Sequence, residues 1–172
     1  GKFDLFNLLN GNQIGGIWTD TSGTVIVNPI DVSNLNPNTY TYNYNIKNGC
    51  GVDSEVVQLA VFKTPNISGA TLNAGSACLT FSNQVFISNA SGLTDGSYSI
   101  TYTLSGANTT TSTSNAIITS GSGSFIIPAS QLTNPGDVTV TIDLIIPIAS
   151  PCGANGSTII APVVFKVIAI PT

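Results

Sequence analysis

The sequence contains no histidine, no arginine and no methionine, and only 7% of its 172 residues are charged. Each absence narrows the field. A serine nucleophile of the usual kind wants a histidine base, and a zinc site wants histidine or closely spaced cysteine, so neither hydrolytic nor zinc chemistry has its parts. Eight scattered acids supply the opposed carboxylate pair of a glycosidase only by accident of folding. The chain is therefore expected not to be an enzyme, and to hold no cofactor. Without arginine or a basic stripe, at a net charge of -4, it is not expected to bind nucleic acid. No apolar run reaches the roughly 18 residues of a membrane helix; the greasy stretch 142–148 is short and carries Pro147. It is expected not to span a membrane. No leader is visible, and the chain begins at Gly1, as a mature or excised fragment would.

What is present is 42% hydrophobic residue in short Val/Ile-rich runs separated by Thr, Ser, Asn and Gly. That is the composition of many strands joined by turns rather than of a disordered chain. Strands are expected at residues 16–19, 24–27, 39–46 and 56–62. After a break at Lys63-Thr64-Pro65 they follow at 67–72, 79–88, 97–104, 116–119, 124–127, 138–146 and 157–168. Within 39–46 the alternation puts Tyr40, Tyr42, Tyr44 and Ile46 on one face. Residues 4–9 fit a helical turn and a strand equally well.

The two halves resemble each other. Leu35-Asn36-Pro37-Asn38-Thr39-Tyr40 aligns with Leu132-Thr133-Asn134-Pro135-Gly136-Asp137-Val138 with one residue inserted. Each is followed by a strand, then Cys50-Gly51 or Cys152-Gly153, then Val61-Phe62-Lys63 or Val164-Phe165-Lys166. The expected fold class is all-β: two tandem immunoglobulin-like β-sandwich modules, residues 1–64, lacking their N-terminal segment, and residues 65–172.

The three cysteines admit more than one arrangement. Cys78 and Cys152 each precede a strand of the second half, and a disulfide between them closes a loop that stabilises by roughly 4 kcal/mol in the chain-entropy model. Cys50, the counterpart of Cys152, is then left as a free cysteine whose partner lies upstream of the fragment. Three unrelated buried thiols, or a Cys50–Cys78 bridge, are the alternatives. Trp18 and Tyr40 fit core and corner positions of a sandwich. Tyr44, near the strand end, is the aromatic most expected at the surface and a possible contact residue. Acids at turns (Asp20, Asp31, Asp53, Glu55 and Asp95) match no dense calcium loop. The Ser/Thr tract at 108–114 suits a polar hairpin, a contact loop or a glycan attachment site.

Phe3-Asp4-Leu5-Phe6-Asn7-Leu8-Leu9, Gly15-Gly16-Ile17-Trp18-Thr19-Asp20, the Leu35 to Tyr42 run and Gly49-Cys50-Gly51 together resemble repeat modules of large Bacteroidota cell-surface adhesins, the SprB-like gliding-motility type. The resemblance covers about residues 1–64. In that family a cysteine usually stands shortly before the Asp-Leu-Phe run. The resemblance implies type IX export, an extracellular place on the bacterial cell surface, and a structural or adhesive role in gliding or attachment. Implied partners are neighbouring repeats of the same chain, surface polysaccharide, or the outer-membrane motility and export machinery. A carbohydrate-binding module of a secreted polysaccharide-degrading protein is the competing expectation, favoured by an exposed aromatic platform.

Overall fold

A computed structural model describes residues 1–11 and 14–171 and is all-β. The chain divides into two compact units, Gly1–Lys63 and Thr64–Thr172.

In the first unit the strands are β1 (Lys2–Phe3), β2 (Ile17–Asp20), β3 (Val25–Ile26), β4 (Ile30–Asp31), β5 (Asn38–Asn48) and β6 (Gly51–Val61). Four of them form an antiparallel sheet in the order β3-β2-β5-β6, while β1 pairs with β4. The Thr/Tyr/Asn alternation of β5 turns Tyr42 and Tyr44 into the core, and Val57 and Leu59 of β6 meet them. Residues 4–9 resolve as a turn of 3-10 helix, Leu5–Leu8. Asp4 caps it, its carboxylate accepting from the Phe6 amide, and Leu5 enters the core. The first six residues of β6 are exposed on both faces.

The second unit contains β7 (Thr71–Ala74), β8 (Ala77–Cys78), β9 (Asn83–Ser88), β10 (Gly96–Gly106), β11 (Thr110–Thr119), β12 (Ser122–Ile127), β13 (Gly136–Pro147), β14 (Ala154–Asn155) and β15 (Val163–Ile168). They run in the order β7-β9-β12-β11-β10-β13-β15-β8, with β14 on β13. The path folds over on itself: Val85, Ile87, Phe125 and Ile127 from one end share a core with Ile100, Tyr102, Val140, Ile142 and Phe165 from the other. The rings of Tyr102 and Phe125 face each other across it at 5.2 Å. This is consistent with a β-sandwich. The hinge of the fold lies between β11 and β12, which pair only over Ile117–Thr119 against Ser122–Ser124 before each continues with its other neighbour alone.

Three expected strands are shorter than the apolar runs suggest. The run at 79–88 is interrupted at Thr80, whose φ of 62° is outside the strand region, and resumes at Asn83. Residues 157–160 instead form a turn in which the Ile159 and Ile160 amides donate to the Gly156 carbonyl, and Pro162 delays the strand to Val163. The run at 67–72 begins as a turn at Gly69, φ 84°, and only Thr71 onward is strand.

The internal repeat has a physical counterpart. The order β3-β2-β5-β6 matches β11-β10-β13-β15, antiparallel throughout. Before β5 and before β13 stands one 3-10 turn, Val32–Asn34 and Ala129–Gln131. It is closed in each by the aligned leucine: Leu35 donates to the Val32 carbonyl and Leu132 to the Ala129 carbonyl.

Candidate functional site

The aromatic cluster of the first unit is core. Trp18 and Tyr44 are directly opposite on β2 and β5, their rings 4.7 Å apart, and Phe6 meets both edge-on at 5.6 and 5.3 Å. Tyr44 is only 4% exposed, which corrects the expectation that it reaches the surface. Its phenol oxygen accepts the Gly16 amide at 2.9 Å. Gly16 is required there, since a Cβ would stand 2.6 Å from the Tyr44 ring. Trp18 Nε1 is buried without a hydrogen-bond partner among the described residues. Tyr40 donates to the Asn36 carbonyl four residues back, a corner geometry; Tyr98 repeats it on Thr94 in the second unit, where no turn sequence had pointed to it. With Trp18, Tyr42 and Tyr44 buried, this sheet offers no aromatic platform to a ligand.

The cysteines do not pair as expected. All three are free: Cys50 and Cys78 exposed, Cys152 half-buried. Register explains it. Cys78 stands beside Ile168, one residue beyond the Val167–Gly136 pair at the start of β13. Cys152 precedes β14, whose Ala154 pairs with Ile145 near the end of β13. At about 3.3 Å per residue the two sites lie at opposite ends of that strand, roughly 30 Å apart, whereas a disulfide needs Cα atoms within about 7 Å. Cys50 occupies the two-residue tip between β5 and β6, where Asn48 Oδ1 accepts its amide.

Asp20, Asp31 and Asp95 are spent on local structure, whereas Asp53 and Glu55 lie within strand β6 rather than at a turn. One oxygen of Asp20 accepts from the Ser22 amide, the Ser22 hydroxyl and the Thr24 amide at 2.9, 2.6 and 2.9 Å. Those donors, the Ser22 hydroxyl first, hold its carboxyl below the ordinary range. Asp4 is held down by the Asn28 amide and then the Phe6 amide, Asp31 by the Ser33 hydroxyl and then the Ser33 amide. Asp95 accepts the Ser120 amide at 2.7 Å. Asp53 and Glu55 border a small pocket with Leu9, Asn10, Tyr44 and Ile46. Among the described residues no three Asp, Glu or Cys side chains converge as a metal site would need.

In the Ser/Thr tract, Asn108 is buried and acts as a clasp. It donates to the Asn134 carbonyl and accepts from the Thr133 and Asn134 amides, tying the β10–β11 connection to the turn before β13. That occupation is at odds with glycan attachment at this residue. From Thr110 the tract is strand β11.

The surface feature that sequence reasoning missed lies on the outer face of β9, β12 and β11. Phe86, Ile126 and Ile117 stand 47%, 55% and 71% exposed. In register, Phe86 and Ile117 flank Ser124 from either side, and Ile126 follows one pleat on, diagonal to each of them. Around them are Gln84, which donates to Ser124 at 2.7 Å, and Asn115. Where β11 and β12 part, this surface sinks into a depression of about 410 Å³. The available signal was alternation: in Gln84-Val85-Phe86-Ile87-Ser88 only Val85 and Ile87 point inward, yet the apolar run conceals it.

No protein-family model matches the chain, and no curated protein is found similar to it. Among the described residues no helix is long and apolar enough to cross a membrane.

Proposed function

We propose that this chain is a pair of immunoglobulin-like structural and adhesive modules from a large extracellular protein of the bacterial cell surface, serving in gliding or surface attachment rather than in catalysis. The observation that carries it is the doubled framework: the same four-strand order in both units, each preceded by a 3-10 turn closed by an equivalent leucine. Repetition at this scale is the habit of arrays. Long ladders such as β5–β6, paired continuously from Asn38–Val61 to Asn48–Gly51, suit a part that bears tension along its strands. The corner hydrogen bonds of Tyr40 and Tyr98 are a further mark of such sandwiches. The SprB-like resemblance of residues 1–64 supplies the surface setting and the neighbouring repeats as partners.

The test is labelling of intact source cells with antibody against this chain, before and after protease shaving. Label that is present on intact cells and removed by shaving is the expected result; label only after permeabilisation defeats the proposal. Deleting the coding segment should then reduce attachment or gliding.

A further inference from the structure

We propose that the outer face formed by β9, β12 and β11 in the second unit is a binding site for a neutral polysaccharide. This rests on the surface-adhesin function proposed above and gives it a ligand class.

The face joins two properties. Its centre is apolar, with Phe86 and Ile117 exposed on either side of Ser124 and Ile126 exposed diagonally to both, on three adjacent strands. Its surround is hydrogen-bonding but uncharged: Gln84, Asn115 and Ser124 on the same strands, Ser97 and Ser99 on β10. A pyranose ring has the same construction, an apolar C–H face that rests on an aromatic or aliphatic side chain and a rim of hydroxyls that both donate and accept. Amides and hydroxyls suit such a rim because each donates and accepts. The outward residues of β9, β12, β11 and β10 include no acid or base; the acid that borders the face is Asp95, just before β10, whose carboxylate accepts the Ser120 amide at 2.7 Å. A neutral face on a chain of net charge -4 offers nothing to an anionic polymer.

Two other occupants fit less well. A second copy of the chain needs roughly 800 Å² from each partner for a stable interface, an outcome that the sedimentation measurement below distinguishes. A peptide strand added to the free edge of β11 would lie along that edge, two strands away from Phe86, and leave the ring uncovered. The apolar footprint instead runs across the strands, from β9 to β11.

Affinity electrophoresis of the full chain through gels carrying laminarin, mannan, galactan or xylan, with alginate as the anionic control, is the test. Retardation by at least one neutral polymer, and not by alginate, is expected. Phe86→Ala and Ile117→Ser should each weaken it about tenfold, equivalent to about 1.4 kcal/mol, with thermal unfolding unchanged because both side chains lie outside the core. Val164→Ser, an exposed position on β15, should leave retardation intact. The site is overturned by an absence of retardation in all four neutral gels, by equal retardation in alginate, or by Phe86→Ala binding like the parent. Self-association in sedimentation that disappears in Phe86→Ala would also overturn it and assign the face to a second copy. Cell-surface labelling separates this from the function above. Display without retention sinks the site alone, and retention without display sinks the surface placement alone.

Discussion

The two units build one sheet and cover it differently. In the second, the strands β11-β10-β13-β15 are roofed by β7, β9 and β12, and twenty-four hydrophobic side chains are buried in a single core among the described residues. In the first, β3-β2-β5-β6 is covered, among the described residues, by two 3-10 turns, the β1–β4 pair and intervening loops, and seven hydrophobic side chains are buried. The second unit is less than twice as long, so length does not account for the gap. What differs is the cover: a sheet closes over another at native density, whereas loops and short helical turns leave a pleat open, as they do at the start of β6. An identical strand order therefore does not imply an equal stability.

The aligned leucines give the largest expected effect and the most direct attempt to break that comparison. Leu132 is wholly buried, so Leu132→Ala should destabilise the second unit by about 3 kcal/mol; half-buried Leu35 should cost the first about 1 kcal/mol on the same change. Trp18 is the only tryptophan, so its emission follows the first unit, and amide exchange in β10 and β13 follows the second. Equal losses would mean that the loops of the first unit pack as tightly as strands. Gly16→Ala comes next. Its Cβ would meet the Tyr44 ring at 2.6 Å and the Asn45 carbonyl at 2.7 Å, and overpacking of that kind costs about 2 kcal/mol. A loose cover would let the ring move aside, so a negligible shift in the Trp18 urea midpoint would show a first unit more pliant than its geometry implies.

Smaller still is the pair of corner tyrosines. Tyr98→Phe strips the Thr94 carbonyl of a donor at a nearly inaccessible site and should cost about 1.5 kcal/mol, while Tyr40→Phe acts on an exposed bond and should cost about 0.5 kcal/mol. Urea denaturation of both variants measures the difference.

Tyr40 was legible because its partner is local: Leu35-Asn36-Pro37 makes the corner within five residues of the ring. Alternation likewise exposed the inward face of β5. Tyr44 was misjudged because its environment is supplied from far along the chain, by Trp18 across the ladder and Phe6 from the 3-10 turn. The cysteines failed for a related reason. An order along the chain says that Cys78 and Cys152 both adjoin strands, but only the register of β15 against β13 reveals opposite ends. Phe86 was hidden by chemistry rather than distance: on a strand whose inward residues are also apolar, an outward phenylalanine reads as one more core residue.

Acid provides the last and smallest discrimination. Asp4, Asp20 and Asp31 of the first unit are held below the ordinary aspartate value, respectively by the Asn28 amide and the Ser22 and Ser33 hydroxyls, with backbone amides adding to each. A folded-state value lower than the unfolded one, about 3.9, means the carboxylates contribute stability that is complete above about pH 4. That contribution disappears as pH falls through the folded values. All three are exposed, so the contribution is modest and weakens with salt. The Trp18 urea midpoint should therefore hold between pH 7 and pH 5 and decline below about pH 4. Ser22→Ala, which removes the donor that most lowers Asp20, should flatten the decline without reversing it. A midpoint that rises on acidification would mean that these turns are strained by their charge rather than held by it, and the loop cover of the first unit would then be stabilised by apolar packing alone.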